Sequence, residues 1–102
     1  MFIRFRLKLV AALLAVSLAG AALAQNLVVY NAGSSELIED TIAAFNAAHP
    51  NINVTVVSAG VGQHTTRIEA ESANPQGDVF FGASVESFEA IIQYFDAYQT
   101  AN

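Results

Sequence analysis

The chain has 102 residues, nine acidic and four basic, with two histidines and no cysteine. The missing cysteine excludes disulfides, thiolate metal ligands and a lipid-modified N-terminal cysteine. Beyond residue 24, nine acids face Arg67 alone, a net charge of −8, which excludes the basic footprint that nucleic-acid binding requires.

Residues 1–24 read as a cleavable signal peptide. Arg4, Arg6 and Lys8 make a positive start, Leu9 to Leu23 carries no charge, and Ala22-Leu23-Ala24 places small residues where a signal peptidase reads, leaving Gln25 as the new N-terminus. The apolar run is shorter than the roughly 20 residues of a membrane span. This leader inflates the hydrophobic fraction of the whole chain. Residues 25–102 form one small domain at most, without the staples such a size usually needs, and are expected to be a marginally stable fragment of something larger.

Residues 25–102 repeat a strand, a Gly-bearing loop and a helix. Leu27-Val28-Val29-Tyr30 is an apolar run of β-formers bounded by Asn31 and Gly33. Ser35 to Ala48 predicts a helix, with Leu37, Ile38, Thr41, Ile42, Phe45 and Ala48 at spacings of three and four. Its first turns are acidic, and His49-Pro50 ends it. Asn53 to Val57 reads as the second strand and Ser58 to Gly62 as its following loop. Gln63 to about Ala73 reads as a second helix, Asn74-Pro75-Gln76-Gly77 as a turn, and Asp78 to Phe81 as the third strand. A last helix is expected from Val85, with Phe88, Ile91, Ile92 and Phe95 on one stripe. Strands alternating with helices predict parallel βαβ crossovers, and strands apolar on both faces predict helices on both sides of the sheet.

Three loops hold equivalent positions: Asn31-Ala32-Gly33-Ser34, Gly60-Val61-Gly62 and Gly82-Ala83-Ser84 each follow a strand's carboxyl end and precede a helix. In an open α/β sheet these ends share one edge, where ligands bind. Glycine allows backbone N–H groups to approach a ligand, and helix starts attract anions. These ten residues are the candidate ligand-binding set; each loop taken singly also reads as a plain turn with a cap.

Other chemistry finds little support. Gly60-Val61-Gly62 lacks the third glycine of a dinucleotide fingerprint, because Thr65 stands there, and no Gly-Lys pair marks a phosphate loop. His49 reads as a solvated helix end, and His64 as a surface histidine with ligand contact as the alternative. Glu36, Glu39, Asp40, Glu69 and Glu71 read as solvated helix faces, and Tyr94 and Tyr98 as packing residues. Two isolated histidines give no metal spacing, and Ser34, Ser58 and Ser84 have no nucleophile-elbow context. No catalytic residue, metal ligand or cofactor is assigned, so no enzyme is expected. A secreted hydrolase is disfavoured on the same ground, and a small secreted α/β interaction module without ligand, or a truncated non-functional fragment, remains the alternative.

Leu27-Val-Val-Tyr-Asn-Ala-Gly33, Ala44-Phe-Asn-Ala-Ala-His-Pro50, a Val-rich strand, Gly60-x-Gly62 and Asn74-Pro-Gln-Gly-Asp-Val-Phe-Phe-Gly82 together resemble the N-terminus of a bacterial extracellular solute-binding protein. The similarity is greatest to the ABC-importer branch that holds iron(III)-, phosphonate- and organophosphate-binding proteins. Pro75 to Phe81 is the most specific part, and the resemblance runs from Gln25 to about Tyr98. It implies the N-terminal part of a type II periplasmic-binding-protein lobe, with the hinge and second lobe missing. It also implies a periplasmic monomer that captures a small solute and delivers it to a membrane permease. The three loops carry over as ligand-facing segments. Ser34 and Ala83 depart from residues that iron binders often use, which favours an oxyanion such as a phosphonate or organophosphate over iron(III).

Overall fold

The computed structural model describes residues 25–100, so the leader read from residues 1–24 lies outside them. The elements are β1 (Gln25–Asn31), α1 (Ser35–Ala48), β2 (Ile52–Ser58), α2 (Val61–Ala70), β3 (Val79–Phe81) and α3 (Val85–Glu89), followed by a 3₁₀ turn at Ile92–Tyr94. The strands form a parallel sheet in the order β2-β1-β3, with β1 at its centre. Alternating strands and helices around a parallel sheet make this an α/β domain, as the patterning predicts.

The two crossovers run in opposite directions across the sheet, from β1 to β2 through α1 and from β2 past β1 to β3 through α2, and their helices lie on opposite faces. Residues paired across parallel strands point the same way, so Val29 and Val56 share one face, and Tyr30, Val57 and Phe80 the other. α1 packs on the first face, where Ile38 and Val29 are buried. α2, α3 and the final segment cover the second. There Tyr30, Phe80 and Ile91 form the buried cluster, with Val57, Val61, Ile68, Phe88, Tyr94 and Phe95 packed against it. Among the described residues no helix is long and apolar enough to cross a membrane.

α1 has the bounds its periodicity predicts, because both ends are fixed locally. Ser34 Oγ accepts the Leu37 N–H at 3.2 Å, and the His49 N–H donates to Phe45 O at 2.8 Å before Pro50 stops the chain. His49 is exposed and tilted against the Phe45 ring. β3 begins one residue later than expected. Asp78 instead clasps β1: its N–H donates to Val28 O, and its carboxylate accepts the Val28 N–H, both at 2.8 Å.

Three expectations need correction. Val61 and Gly62 belong to α2, not to the preceding loop, and α2 ends at Ala70, because the Glu71 N–H closes its last turn on Arg67 O. The long C-terminal helix with a single apolar stripe does not form. α3 stops after five residues, and Ile91 leaves helical geometry at φ −126°, ψ 16°. That break drives Ile91 into the core at 6 % exposure and turns Ile92 out to 62 %. Ile91 joins Tyr30 and Phe80 in the buried cluster, and its neighbour Ile92 is left outside it.

Candidate functional site

The carboxyl ends of all three strands meet at one edge, and Asn31 is the hub. Its side chain is 1 % exposed. The amide nitrogen donates to Gly33 O at 3.2 Å and Ser58 Oγ at 3.3 Å, and the amide oxygen accepts the Gly33 N–H at 3.1 Å. Its backbone carbonyl accepts the Ala59 N–H at 3.0 Å and lies 3.0 Å from His64 Nε2. One residue thus shapes the loop after β1 and ties it to the end of β2 and the first turn of α2.

The loops after β1 and β3 pack backbone against backbone. The Ala32 N–H donates to Phe81 O at 2.8 Å. Gly82 has φ +85°, a left-handed geometry that favours glycine, and a Cβ there would stand 2.4 Å from Gly33 N and 2.7 Å from Gly33 Cα. In the order β2-β1-β3, this junction lies at the switch point where the chain's winding reverses, the place in open α/β sheets where ligands enter.

The structure brings the ten sequence-predicted residues to this edge but gives them different work. The side chain of Asn31 and the N–H groups of Ala32 and Gly33 are spent within the edge itself. Val61 and Ala83 turn inward against the core. Ser34 and Ser84 cap α1 and α3 by accepting N–H groups from Leu37 and Ser87. As each hydroxyl can still donate its proton, Ser34 keeps one donor for a ligand. α2 starts differently: Gly60 is its N-cap and supplies no side-chain cap bond. The first N–H groups of a helix lack intrahelical acceptors, so the start of α2 presents uncapped donors. Gly60 and Gly62 are open, with nothing within 4 Å of a built Cβ at either position.

Sequence reasoning missed two features on the opposite side of the sheet from α1. His64 is fully buried, not a surface residue. Its ring stacks on Tyr30 at 5.2 Å and meets Phe80 edge-on at 5.7 Å. Because a carbonyl can only accept, Nε2 carries the proton toward Asn31 O, while Nδ1 has no protein partner. The second is a clasp around Glu71, which is no solvated helix residue. The Tyr30 hydroxyl reaches both carboxylate oxygens at 2.9–3.0 Å, Arg67 Nε donates to Oε1 at 2.8 Å, and the guanidinium lies 5.0 Å from the Tyr30 ring centroid. The Arg67–Glu71 spacing of four was visible in the sequence, but Tyr30 comes from 41 residues away.

Burial opposes the Glu71 charge, yet hydrogen bonds from Arg67 and Tyr30 prevail and hold its carboxyl below the ordinary value of 4.5. Burial, then the Glu71 hydrogen bond, pushes the Tyr30 hydroxyl above its usual 10. A carboxyl depressed on folding contributes stability above its unfolded value, and that contribution is lost as pH falls through the folded one. We expect Glu71→Gln to melt below the parent at neutral pH and to converge with it as pH drops well below 4.5. Thermal melts at stepped pH read this; a gap that persists unchanged into acid would show that the Glu71 charge contributes nothing. Among the described residues no three His, Asp or Glu side chains gather to hold a metal ion.

No family model matches the chain. It is 36 % identical over 88 residues to an uncharacterized protein of Haemophilus influenzae (strain ATCC 51907 / DSM 11121 / KW20 / Rd), an alignment covering 83 % of this chain and 25 % of the relative. The chain therefore spans about a quarter of the length of the curated relative it matches.

Proposed function

We propose that this chain is part of an exported solute-binding protein that captures a small anion, of the phosphonate or organophosphate class, for an ABC importer. Binding, and not catalysis, is its work, and its site is the strand-end edge around Ser34 and the start of α2. The observation that carries the reading is the β1–β3 junction at the switch point, with the uncapped start of α2 tied beside it through Asn31. Helix-start N–H groups and a hydroxyl donor suit an oxyanion better than bare iron(III). α3, at five residues, adds loop amides but little dipole. Export to the periplasm rests on the leader sequence, and capture for a permease on the family resemblance; N-terminal sequencing of the secreted chain should begin at Gln25.

Isothermal titration calorimetry of the longer H. influenzae relative, with this chain in place of its matched quarter, against methylphosphonate, glycerol 3-phosphate, ferric citrate and spermidine tests the ligand class. Binding of a phosphorylated compound is expected. Ser34→Ala should weaken it several-fold through one lost hydrogen bond, worth about 1 kcal/mol. Gly60→Val is the sharper probe, because Gly60 has an extended geometry any residue adopts (φ −68°, ψ 158°) and its Cβ position is open. It should leave folding intact and block access to the α2 start. Binding of only ferric iron or the polyamine would overturn the anion reading.

A further inference from the structure

The buried amide of Asn31 sets the direction of a second hydroxyl at the strand-end edge. A backbone N–H can only donate, so the Asn31 atom that meets the Gly33 N–H at 3.1 Å is the amide oxygen. The amide nitrogen is thereby left to face Gly33 O at 3.2 Å and Ser58 Oγ at 3.3 Å. A reversed amide would set its NH₂ group against the Gly33 N–H and its oxygen against Gly33 O. Ser58 Oγ therefore accepts from Asn31, and its own proton is directed elsewhere. Among the described residues no protein atom takes that proton. Ser58 ends β2 in register with Asn31, is exposed, and comes two residues before the Gly60 cap of α2. Its side chain lines a hollow of about 470 Å³ that Ser35, the first residue of α1, also lines. The hydroxyl thus stands between the Ser34-capped start of α1 and the bare start of α2, with open space before it. A free surface serine turns its hydroxyl to suit water. Here a buried amide has already fixed the choice, so an acceptor-only oxyanion meets a donor that need not reorient.

We infer that Ser58, which lies outside the ten residues singled out from the sequence, is a further ligand-binding residue of this edge. It donates its hydroxyl proton to an unprotonated oxygen of the anion, in a direction set by Asn31. The inference rests on the anion-capture reading and adds to it a named donor atom.

Ser58→Thr and Ser58→Val have nearly the same shape and both suit a strand, so the pair isolates the hydroxyl. Each is placed in the chimera with the H. influenzae relative and titrated by calorimetry with methylphosphonate and glycerol 3-phosphate. Ser58→Thr should bind within about twofold of the parent chimera, and Ser58→Val at least about fivefold more weakly, the effect of one lost hydrogen bond to a charged acceptor. Melting temperatures should agree, because Ser58 is exposed and the Asn31 amide keeps Gly33 O as an acceptor. Ser58→Ala, which adds no branch at the strand end, should match Ser58→Val. Parent-level binding by Ser58→Val overturns the inference and leaves the anion reading standing. An equal loss in Ser58→Thr and Ser58→Val, with Ser58→Ala at the parent's level, would assign the effect to bulk at the strand end and overturn it too. A parent chimera that binds neither phosphorylated compound overturns the anion reading itself, and this inference falls with it.

Discussion

Gly82→Ala is expected to be among the most destabilising single substitutions in this chain, at about 2–5 kcal/mol. The left-handed φ of +85° costs a Cβ-bearing residue about 1–2 kcal/mol, and overpacking adds about 1–3 kcal/mol. Relief is hard to find, because the atoms the methyl group would strike are Gly33 N and Cα, at 2.4 and 2.7 Å. These belong to backbone already fixed by the Asn31 amide. Urea unfolding measures the loss. The variant should unfold at much lower denaturant than the parent chain, or be unfolded at the outset. A loss under about 1 kcal/mol would mean that the β1 and β3 loops part readily, which would also remove the rigid edge on which the proposed site depends. Gly60→Ala is the internal contrast: same residue type, same edge, open space, and an expected change within about 0.5 kcal/mol.

Tyr30→Ala should cost about 3–5 kcal/mol, the range for deleting a large buried aromatic. The ring is 3 % exposed at the centre of the sheet. It stacks on His64, lies under Arg67 and sits so close to the Asn74–Asp78 turn that a Cβ on Gly77 would come within 2.7–2.9 Å of it. Removing it leaves His64 without its stacking partner and Glu71 without its hydroxyl donor. Tyr30→Phe separates the two contributions. It keeps the stacking and loses only the hydrogen bonds to a charged acceptor, about 1.5–3 kcal/mol, with Arg67 still paired to Glu71. The same urea series reads both variants; equal losses would show that the hydroxyl, and not the ring, accounts for the stability at this position.

Residues that set their own geometry were readable without a structure. The limits of α1 followed from apolar spacing, the Ser34 cap and Pro50, all of which act within a few residues. The strand–loop–helix rhythm dictated parallel crossovers, and therefore placed Asn31, Gly60 and Gly82 at equivalent positions on one edge. What each residue does there was not readable, since donors are consumed by partners brought from elsewhere. Asn31 looked like a ligand contact because it ends a strand beside glycines, yet Ser58, Ala59 and His64 turn it into a hub. His64 read as a surface histidine at the start of the second helix, beside the Gly60–Gly62 loop. It is buried because β1 and β3 lay Tyr30 and Phe80 against its side of α2. Glu71 reads as one more helix acid until Tyr30 arrives from β1. The last segment makes the same point in reverse: its apolar spacing fits a helix, but the chain breaks at Ile91, which packs against Tyr30 and Phe80 from β1 and β3. Local signals set the bounds of α1, the alternation of strands and helices, and the edge that carries the proposed site. Only the folding of distant segments onto β1 decided which polar groups on that edge are spent and which are left to meet a ligand.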